Sequence, residues 1–229
     1  MPRGYRRRTL RGMALPSFNP DESRVLGVLI EKSTTTPEQY PLSLNALTNG
    51  CNQKNNRDPV RTMTEDQCFD AVESLRAKTP PLVIRVDTPG SRVHNYRHNA
   101  GDVLHARGGE LAILAEMLLR GPQTVGELRG RASRMSPMES IEITQGLLTA
   151  MMTREEPLVR ELPPLPGSRA NRFVQLLCPD LHPIDAMGSA AASPSIATSD
   201  PSLHDRVAKL EAEVAELKQL VQRLGPPAS

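Results

Sequence analysis

The side chains best suited to chemistry in this sequence are its histidines and cysteines, which could hold a metal or act as base and nucleophile. The chain has five histidines and three cysteines. His94 and His98 lie four residues apart on a predicted strand, where a rise of about 3.3 Å per residue separates them by roughly 13 Å, too far to share an ion. The other histidines have no cysteine at ligand spacing. The sequence therefore predicts no metal site and no cofactor.

Motifs of common catalytic sites are also missing from the sequence. It contains no phosphate-binding loop, no glycine-rich dinucleotide turn, no nucleophile elbow and no HExxH pair. We therefore predict a non-enzymatic protein with no catalytic residues. The three widely spaced cysteines favour a reducing compartment, and the longest apolar stretch, 111–119, is too short to span a bilayer. These features predict a cytoplasmic protein without a membrane partner.

Basic side chains are the remaining candidates for a site, because lysine and arginine neutralise the phosphates of nucleic acid. Those in predicted loops and hairpins are Lys54, Arg57, Arg85, Arg92, Arg97, Arg129, Arg131, Arg134, Arg160, Arg169 and Arg172. An equally simple interpretation is that they are solvated loop residues. Basic and acidic residues balance within 19–99 and within 100–178, whereas a nucleic-acid-binding domain usually has a basic excess.

A weak internal repeat with a period of about 77 residues organises the middle of the chain. The blocks Pro81-Leu82-Val83, Pro89-Gly90-Ser91-Arg92 and Tyr96 recur as Pro157-Leu158-Val159, Pro166-Gly167-Ser168-Arg169 and Phe173. Alternating apolar residues around a Pro-Gly turn predict a β-hairpin in each copy. Tyr96 and Phe173, at matching hairpin positions, are expected to pack against helices.

Three helices are predicted before each hairpin. The first helices are marked by apolar residues within 25–30 and 111–118, and the second span about 43–52 and 124–133, with N-caps Ser43 and Thr124. In copy one, Thr64 caps a third helix with an apolar stripe of Phe69, Val72 and Leu75. In copy two, Ser136-Pro137 opens a third helix that carries Ile141, Leu147, Leu148 and Met151.

This order predicts an α+β fold, mostly helical, with two tandem winged helix-turn-helix domains and a C-terminal coiled-coil helix. The predicted divisions are a basic disordered tail over 1–18, winged-helix domains over 19–99 and 100–178, a flexible linker over 179–202 and the coiled-coil helix over 203–224. The linker is rich in Pro, Ala and Ser, which cannot fill a core.

The segment from Glu31 to Val60, EKSTTTPEQYPLSLNALTNGCNQKNNRDPV, closely resembles the signature of the YceH-like family of bacterial proteins with tandem winged-helix domains. Similarity extends over about 21–178, including LLRGPQTVGELRGRASRM, and resumes in the C-terminal heptads. The resemblance implies a bacterial source and this fold, and it carries over no catalytic residue. The five arginines of residues 1–11 precede the family-like region. They could form a phosphate-binding arm, or Met13 could be the true start.

The C-terminal segment has a heptad pattern with valine at a and leucine at d, which favours a parallel two-stranded coil. The predicted dimerisation residues are Leu203, Val207, Leu210, Val214, Leu217, Val221 and Leu224. Three heptads are short for an isolated coil, so the alternative is that this helix packs on its own winged-helix domains.

Two functions are compatible with this organisation. The first is a dimeric regulator that contacts duplex DNA through its wings and basic loops. The second is a protein-interaction module that uses its acidic third helices and binds no nucleic acid. Glu65, Asp66, Asp70 and Glu73 would repel phosphate from the third helix of copy one, as would Glu139 and Glu142 in copy two.

Overall fold

The computed structural model describes residues 15–87, 90 and 92–181. The predicted basic arm, the greater part of the linker and the coiled-coil residues lie outside this range. The described part is an α+β structure of helices and two small antiparallel sheets, which confirms the α+β part of the predicted fold class. Phe18, placed by the sequence in a disordered tail, is buried in the core. Its N–H donates to the Leu177 carbonyl at 2.6 Å, so the two ends of the described part meet.

The first helix, α1, spans Pro20–Thr35 and is the central element of the fold. Asn19 caps it: the Asn19 side-chain oxygen accepts the N–H of Asp21 and of Glu22, and the Glu22 carboxylate accepts the Asn19 N–H at 2.8 Å. The residues from Glu22 to Glu31 are all buried. A helix that is buried around its whole circumference must lie between other elements.

The first half of the structure continues with a short 3-10 turn at Pro37–Gln39 and a three-stranded sheet in the order β1-β3-β2. Its elements are β1 (Leu42–Ser43), α2 (Leu44–Cys51), α3 (Glu65–Ala77), β2 (Val83–Asp87) and β3 (His94–His98). Ser43 and Thr64 are the N-caps of α2 and α3, as predicted. Phe69 of α3 is exposed, however, so its place in the predicted apolar stripe is wrong; the buried stripe is Cys68, Ala71, Val72 and Leu75.

The second half repeats this order after a short helix, with a sheet in the order β4-β6-β5. Its elements are α4 (Ala100–Val103), α5 (Gly109–Arg120), β4 (Gln123–Thr124), α6 (Val125–Ala132), α7 (Ile141–Met152), β5 (Val159–Leu162) and β6 (Arg172–Gln175). Thr124 caps α6 as predicted. Helix α7 is capped by Ser140, so the predicted start at Ser136-Pro137 is wrong. Met138, between the two positions, is buried in the core and precedes the helix.

The two hairpins match at the level of register. Tyr96 of β3 pairs with Leu42 of β1, and Phe173 of β6 pairs with Gln123 of β4. Both aromatic rings are buried, which confirms that they pack inward from equivalent positions. The repeat found in the sequence therefore corresponds to two similar halves, each with three helices and a hairpin in the predicted order.

The halves join through α1 and α5, and buried residues from both halves belong to one hydrophobic core. The contact is close at Gly27 of α1: a Cβ added there would lie 2.9 Å from two atoms of the Leu119 side chain and 3.2 Å from the Leu118 Cβ. The Ser23 hydroxyl donates to the Leu118 carbonyl at 3.3 Å. Glycine thus allows the two helices to approach within backbone distance of each other.

We expect Gly27→Ala to destabilise the protein relative to an alanine placed at an unconstrained helical glycine. Overpacking a core typically costs about 1–3 kcal/mol. The matched control is Gly146→Ala in the interior of α7, where nothing lies within 4 Å of the added Cβ. Both variants gain the same helix propensity, about 1 kcal/mol, so only the packing cost separates them. Urea unfolding followed by circular dichroism measures the difference, and equal stabilities would contradict the close α1–α5 contact.

Candidate interaction surfaces

The arginines of the first hairpin do not share one face. Arg85 pairs with Tyr96 across the sheet, and Arg97 pairs with Ile84. Because neighbouring residues of a strand point to opposite sides, the two arginines lie on opposite faces of the sheet. Arg85 also forms an ion pair with Asp87 at 3.1 Å, which offsets its charge. Arg92 is exposed near the turn. Of the predicted residues here, Arg92 and Arg97 are the ones presented to solvent without an ion pair among the described residues.

In the second hairpin, Arg160 and Arg169 are exposed and Arg172 is half-buried. Arg160 and Arg172 lie on the same sheet face, because Arg160 pairs with Val174 and Arg172 with Leu162. The equivalent positions in the first hairpin are Ile84 and Asn95. The two hairpins are therefore alike in backbone and unlike in charge.

The basic residues of the last turn of α6, Arg129 and Arg131, bond mainly to the protein itself. Arg129 donates to the carbonyl oxygens of Met138 and Glu139, at 3.3 and 2.9 Å. Arg131 donates to the Gln123 side chain at 2.7 Å and forms an ion pair with Glu127. The two bonds of Arg129 fix the segment that leads into α7.

The loop after α2 presents Lys54 to solvent but turns Arg57 inward. The Arg57 side chain is fully buried, and it donates to the Gly50 carbonyl, the Gln53 side chain and Glu31. Its guanidinium is therefore not available to a phosphate. Asn52 fixes the other end of the loop, donating to the Met63 carbonyl and accepting the Met63 N–H at 2.8 and 2.7 Å.

Arg57 belongs to an ion-pair network between the two halves, built on Glu31 of α1 and Glu116 of α5. Their side chains are 1 % and 0 % exposed. Glu31 accepts from Arg57 at 2.5 Å and from Arg134 at 2.6 Å, and Arg134 also donates to Glu116 at 2.5 Å. Arg134, from the second half, thus bridges one carboxylate of each half.

The network lowers the pKa of the Glu31 carboxyl. Burial by itself would raise the pKa of the Glu31 carboxyl, but the hydrogen bonds and charges of Arg57 and Arg134 outweigh it and lower the pKa below its usual value. Sequence analysis missed Glu31 and Glu116. The available signal was an acid within an apolar stretch, as Glu116 is within 111–119, because a charge there is tolerated only when it is paired.

His98 on β3 is the other polar group enclosed by the fold. Its backbone N–H donates to the Tyr40 hydroxyl at 2.6 Å, and its Nε2 lies 3.2 Å from the Ser33 hydroxyl. Nδ1 is buried and has no hydrogen-bond partner among the described residues. Burial, assisted by the charge of Arg97, lowers the pKa of His98 to about 4, so the ring is neutral near pH 7.

The third helices, α3 and α7, expose surfaces of different character. On α3, Asp66, Asp70 and Glu73 follow one another at helical spacing on the side opposite the buried stripe, with Phe69 beside them 43 % exposed. Arg76 is the single basic residue of this helix, and it forms an ion pair with Glu73.

Helix α7 exposes apolar and small side chains. Ile141 and Ile143 are each 47 % exposed, and Gly146 and Ala150 are exposed further along. Thr144, Leu148 and Met151 face the core. The helix contains one charged residue, Glu142, and no basic residue. Neither third helix offers the unpaired cations that a phosphate backbone requires.

Comparisons with known proteins find relatives over most of the chain. The family model described as protein of unknown function, DUF480, matches residues 18–168. A UPF0502 protein of Geotalea uraniireducens is 45% identical over 213 residues, which cover 89% of this chain and 94% of the relative. A UPF0502 protein of Koribacter versatilis is 46% identical, with coverages of 87% and 90%. A third, from Leptothrix cholodnii, is 41% identical, with coverages of 90% and 93%. In the part of the chain that the structure describes, no helix has the length and apolar character needed to cross a membrane.

Proposed function

The chain belongs to the DUF480 family, and we propose that it is a non-enzymatic protein-interaction module with two tandem winged-helix domains, which binds another protein through the outward faces of α3 and α7. The predicted resemblance to a bacterial family of unknown function is confirmed. The printed names of the relatives give no activity, so the proposal depends on the surfaces themselves.

The winged-helix interpretation is supported by the order of elements in each half. A first helix, a short strand, two further helices and a hairpin recur with the same sheet order. In such a domain the third helix is the contact element, and the hairpin is the wing. The proposal includes one winged-helix domain over 19–99, a second over 100–178, and a homodimer formed through residues 203–224.

The observation that carries the proposal is the outward face of α7. Ile143 is one of the six large apolar side chains exposed in the described residues, and Gly146 and Ala150 lie on the same side of α7, whereas Ile141 lies on the other side. Phe69 of α3 is another of the six. The centres of protein–protein interfaces are enriched in aromatic side chains and depleted of charge. A nucleic-acid interface is instead polar and strongly positive. The exposed surface of α7, with one acidic residue and no basic residue, is therefore better suited to a protein partner than to nucleic acid.

We expect Ile143→Glu to weaken binding to the protein partner about tenfold, as burial of a charge at an interface core would. The matched control is Leu165→Glu in the β5–β6 connection, whose side chain is 51 % exposed and distant in sequence from α7. Tagged chains are incubated with nuclease-treated lysate of the host, and the retained proteins are quantified. Circular dichroism checks that both variants fold.

The supporting result is one stoichiometric partner that is retained by the parent and by Leu165→Glu but lost with Ile143→Glu. Equal retention by all three chains would contradict the use of α7.

Duplex DNA is the second candidate partner, supported by the exposed side chains of Lys54, Arg92, Arg97, Arg160 and Arg169. Binding through them would weaken steeply with salt, because each neutralised phosphate releases condensed counterions. An electrophoretic shift of random duplex at low salt, lost with Arg92→Ala and Arg169→Ala, would favour this candidate over the first.

A further inference from the structure

We infer that the outward face of α3 is a docking surface for the arginine-rich segment 1–14 of the same chain. The inference rests on the proposed function only in treating α3 as a contact surface. The occupant of this surface is a short arginine-rich segment, and it belongs to the same chain.

The face of α3 offers charge and an apolar centre together. Asp66 and Asp70 are exposed and have no ion pair among the described residues, and Glu73 shares its charge with Arg76 alone. Phe69, between them in sequence, exposes 43 % of its surface. A ring bordered by carboxylates attracts guanidinium groups in two ways, by ion pairing at its edges and by stacking on its face.

The described chain begins beside the C-terminal end of this helix. Lys78, the residue that follows α3, donates from Nζ to the Ser17 carbonyl at 3.0 Å and lies 5.7 Å from the centre of the Phe18 ring. Ser17 and Phe18 therefore lie at the C-terminal end of α3, and residues 1–14 precede them closely in the chain. At about 3.3 Å per residue, fourteen residues can reach roughly 46 Å, whereas the thirteen residues of α3 extend only about 20 Å.

The composition of the segment complements that face. Residues 1–14 contain no acid and five arginines, namely Arg3, Arg6, Arg7, Arg8 and Arg11. A chain that runs back from Leu15 along α3 would first bring Arg11 level with Glu73. It would then bring the three arginines at 6–8 level with Asp70 and Asp66. Single exposed ion pairs are weak, but a short tether gives a local concentration of order millimolar, at which several such pairs suffice.

Trypsin, which cleaves after arginine, tests this docking on the full chain. We expect Asp66→Asn with Asp70→Asn to accelerate cleavage within residues 1–11 about fivefold, the effect of losing two exposed ion pairs. High salt should accelerate cleavage of the parent similarly, since it screens the same pairs without altering any residue. The matched control, Glu155→Gln with Glu156→Gln, neutralises two exposed acids in the turn after α7 and should leave the rate unchanged.

Each other outcome overturns the inference. Equal cleavage rates for the parent and the α3 variant, at low and high salt, would mean that the segment does not dock on α3. Protection that increases with protein concentration would mean that the occupant comes from a second copy. Neither result touches binding of a protein partner through Ile143 of α7, so failure here is distinguishable from failure of the proposed function.

Discussion

Replacing Glu31 with leucine is expected to lower the free energy of unfolding by about 3–5 kcal/mol, the usual cost of removing one partner from a buried ion pair. The loss strands Arg57, whose side chain is fully buried and has Glu31 as its one ion-pair partner among the described residues. Arg134 is less affected, because it retains Glu116 and is partly exposed. Urea unfolding followed by circular dichroism measures the change.

A double-mutant cycle separates the pair from its surroundings. Arg57→Leu alone should also be strongly destabilising, since it removes the Arg57 donor from the Gly50 carbonyl and leaves the buried Glu31 paired with Arg134 alone. The double variant Glu31→Leu with Arg57→Leu should lose clearly less than the sum of the two single losses. Glu38→Ala, at an exposed position of the 3-10 turn, is the control and should change stability by less than about 0.5 kcal/mol. Additive losses would show that the two side chains act independently.

Acidification should destabilise the protein by about 3 kcal/mol through His98 alone. The pKa of the His98 imidazole is lowered from 6.5 to about 4 in the folded chain. Between pH 6.5 and pH 4, therefore, this imidazole is protonated in the unfolded chain and neutral in the folded chain. Stability contributed by the neutral ring is therefore complete above pH 6.5 and is lost as the pH falls towards 4. The physical cause is that a charged imidazole would have to be accommodated in a buried site where Nδ1 has no partner.

Unfolding measured from pH 7 to pH 4 tests this for the parent and for His98→Asn. The difference in stability between the two should shrink as the pH falls, because asparagine does not titrate. His105→Asn is the matched control: His105 is exposed and adopts a φ of 50°, which asparagine tolerates well. Parallel pH profiles for the parent and His98→Asn would contradict a buried neutral ring.

The elements that could be predicted from the sequence are those specified locally. Ser43, Thr64 and Thr124 cap helices because each side chain bonds to a backbone N–H three residues ahead, and such a contact is visible in the sequence. The hairpins were predictable for the same reason, since turn chemistry and alternation lie within about twenty residues.

Features that depend on distant contacts were predicted incorrectly. The sequence predicts Arg57 to be a phosphate contact or a solvated loop residue. Its side chain is instead buried against Glu31, which lies 26 residues earlier and so gives no local signal. Phe69 was predicted to lie in the core stripe with Val72 and Leu75, but α3 buries Cys68 and Ala71 with those two residues, and this turns Phe69 towards solvent. The Ser136-Pro137 start failed because Arg129 binds the carbonyls of Met138 and Glu139 and so holds this segment outside the helix.

The meeting of Phe18 with Leu177 determines how the structure would respond to mechanical load. A pull applied between residue 15 and residue 181 acts first across the bond from the Phe18 N–H to the Leu177 carbonyl, and not along α1 or α5. The first response to such a pull is therefore local, at the place where the two ends meet. Until that contact breaks, tension between the two ends is carried by Phe18 and Leu177 rather than by the helices that unite the two halves.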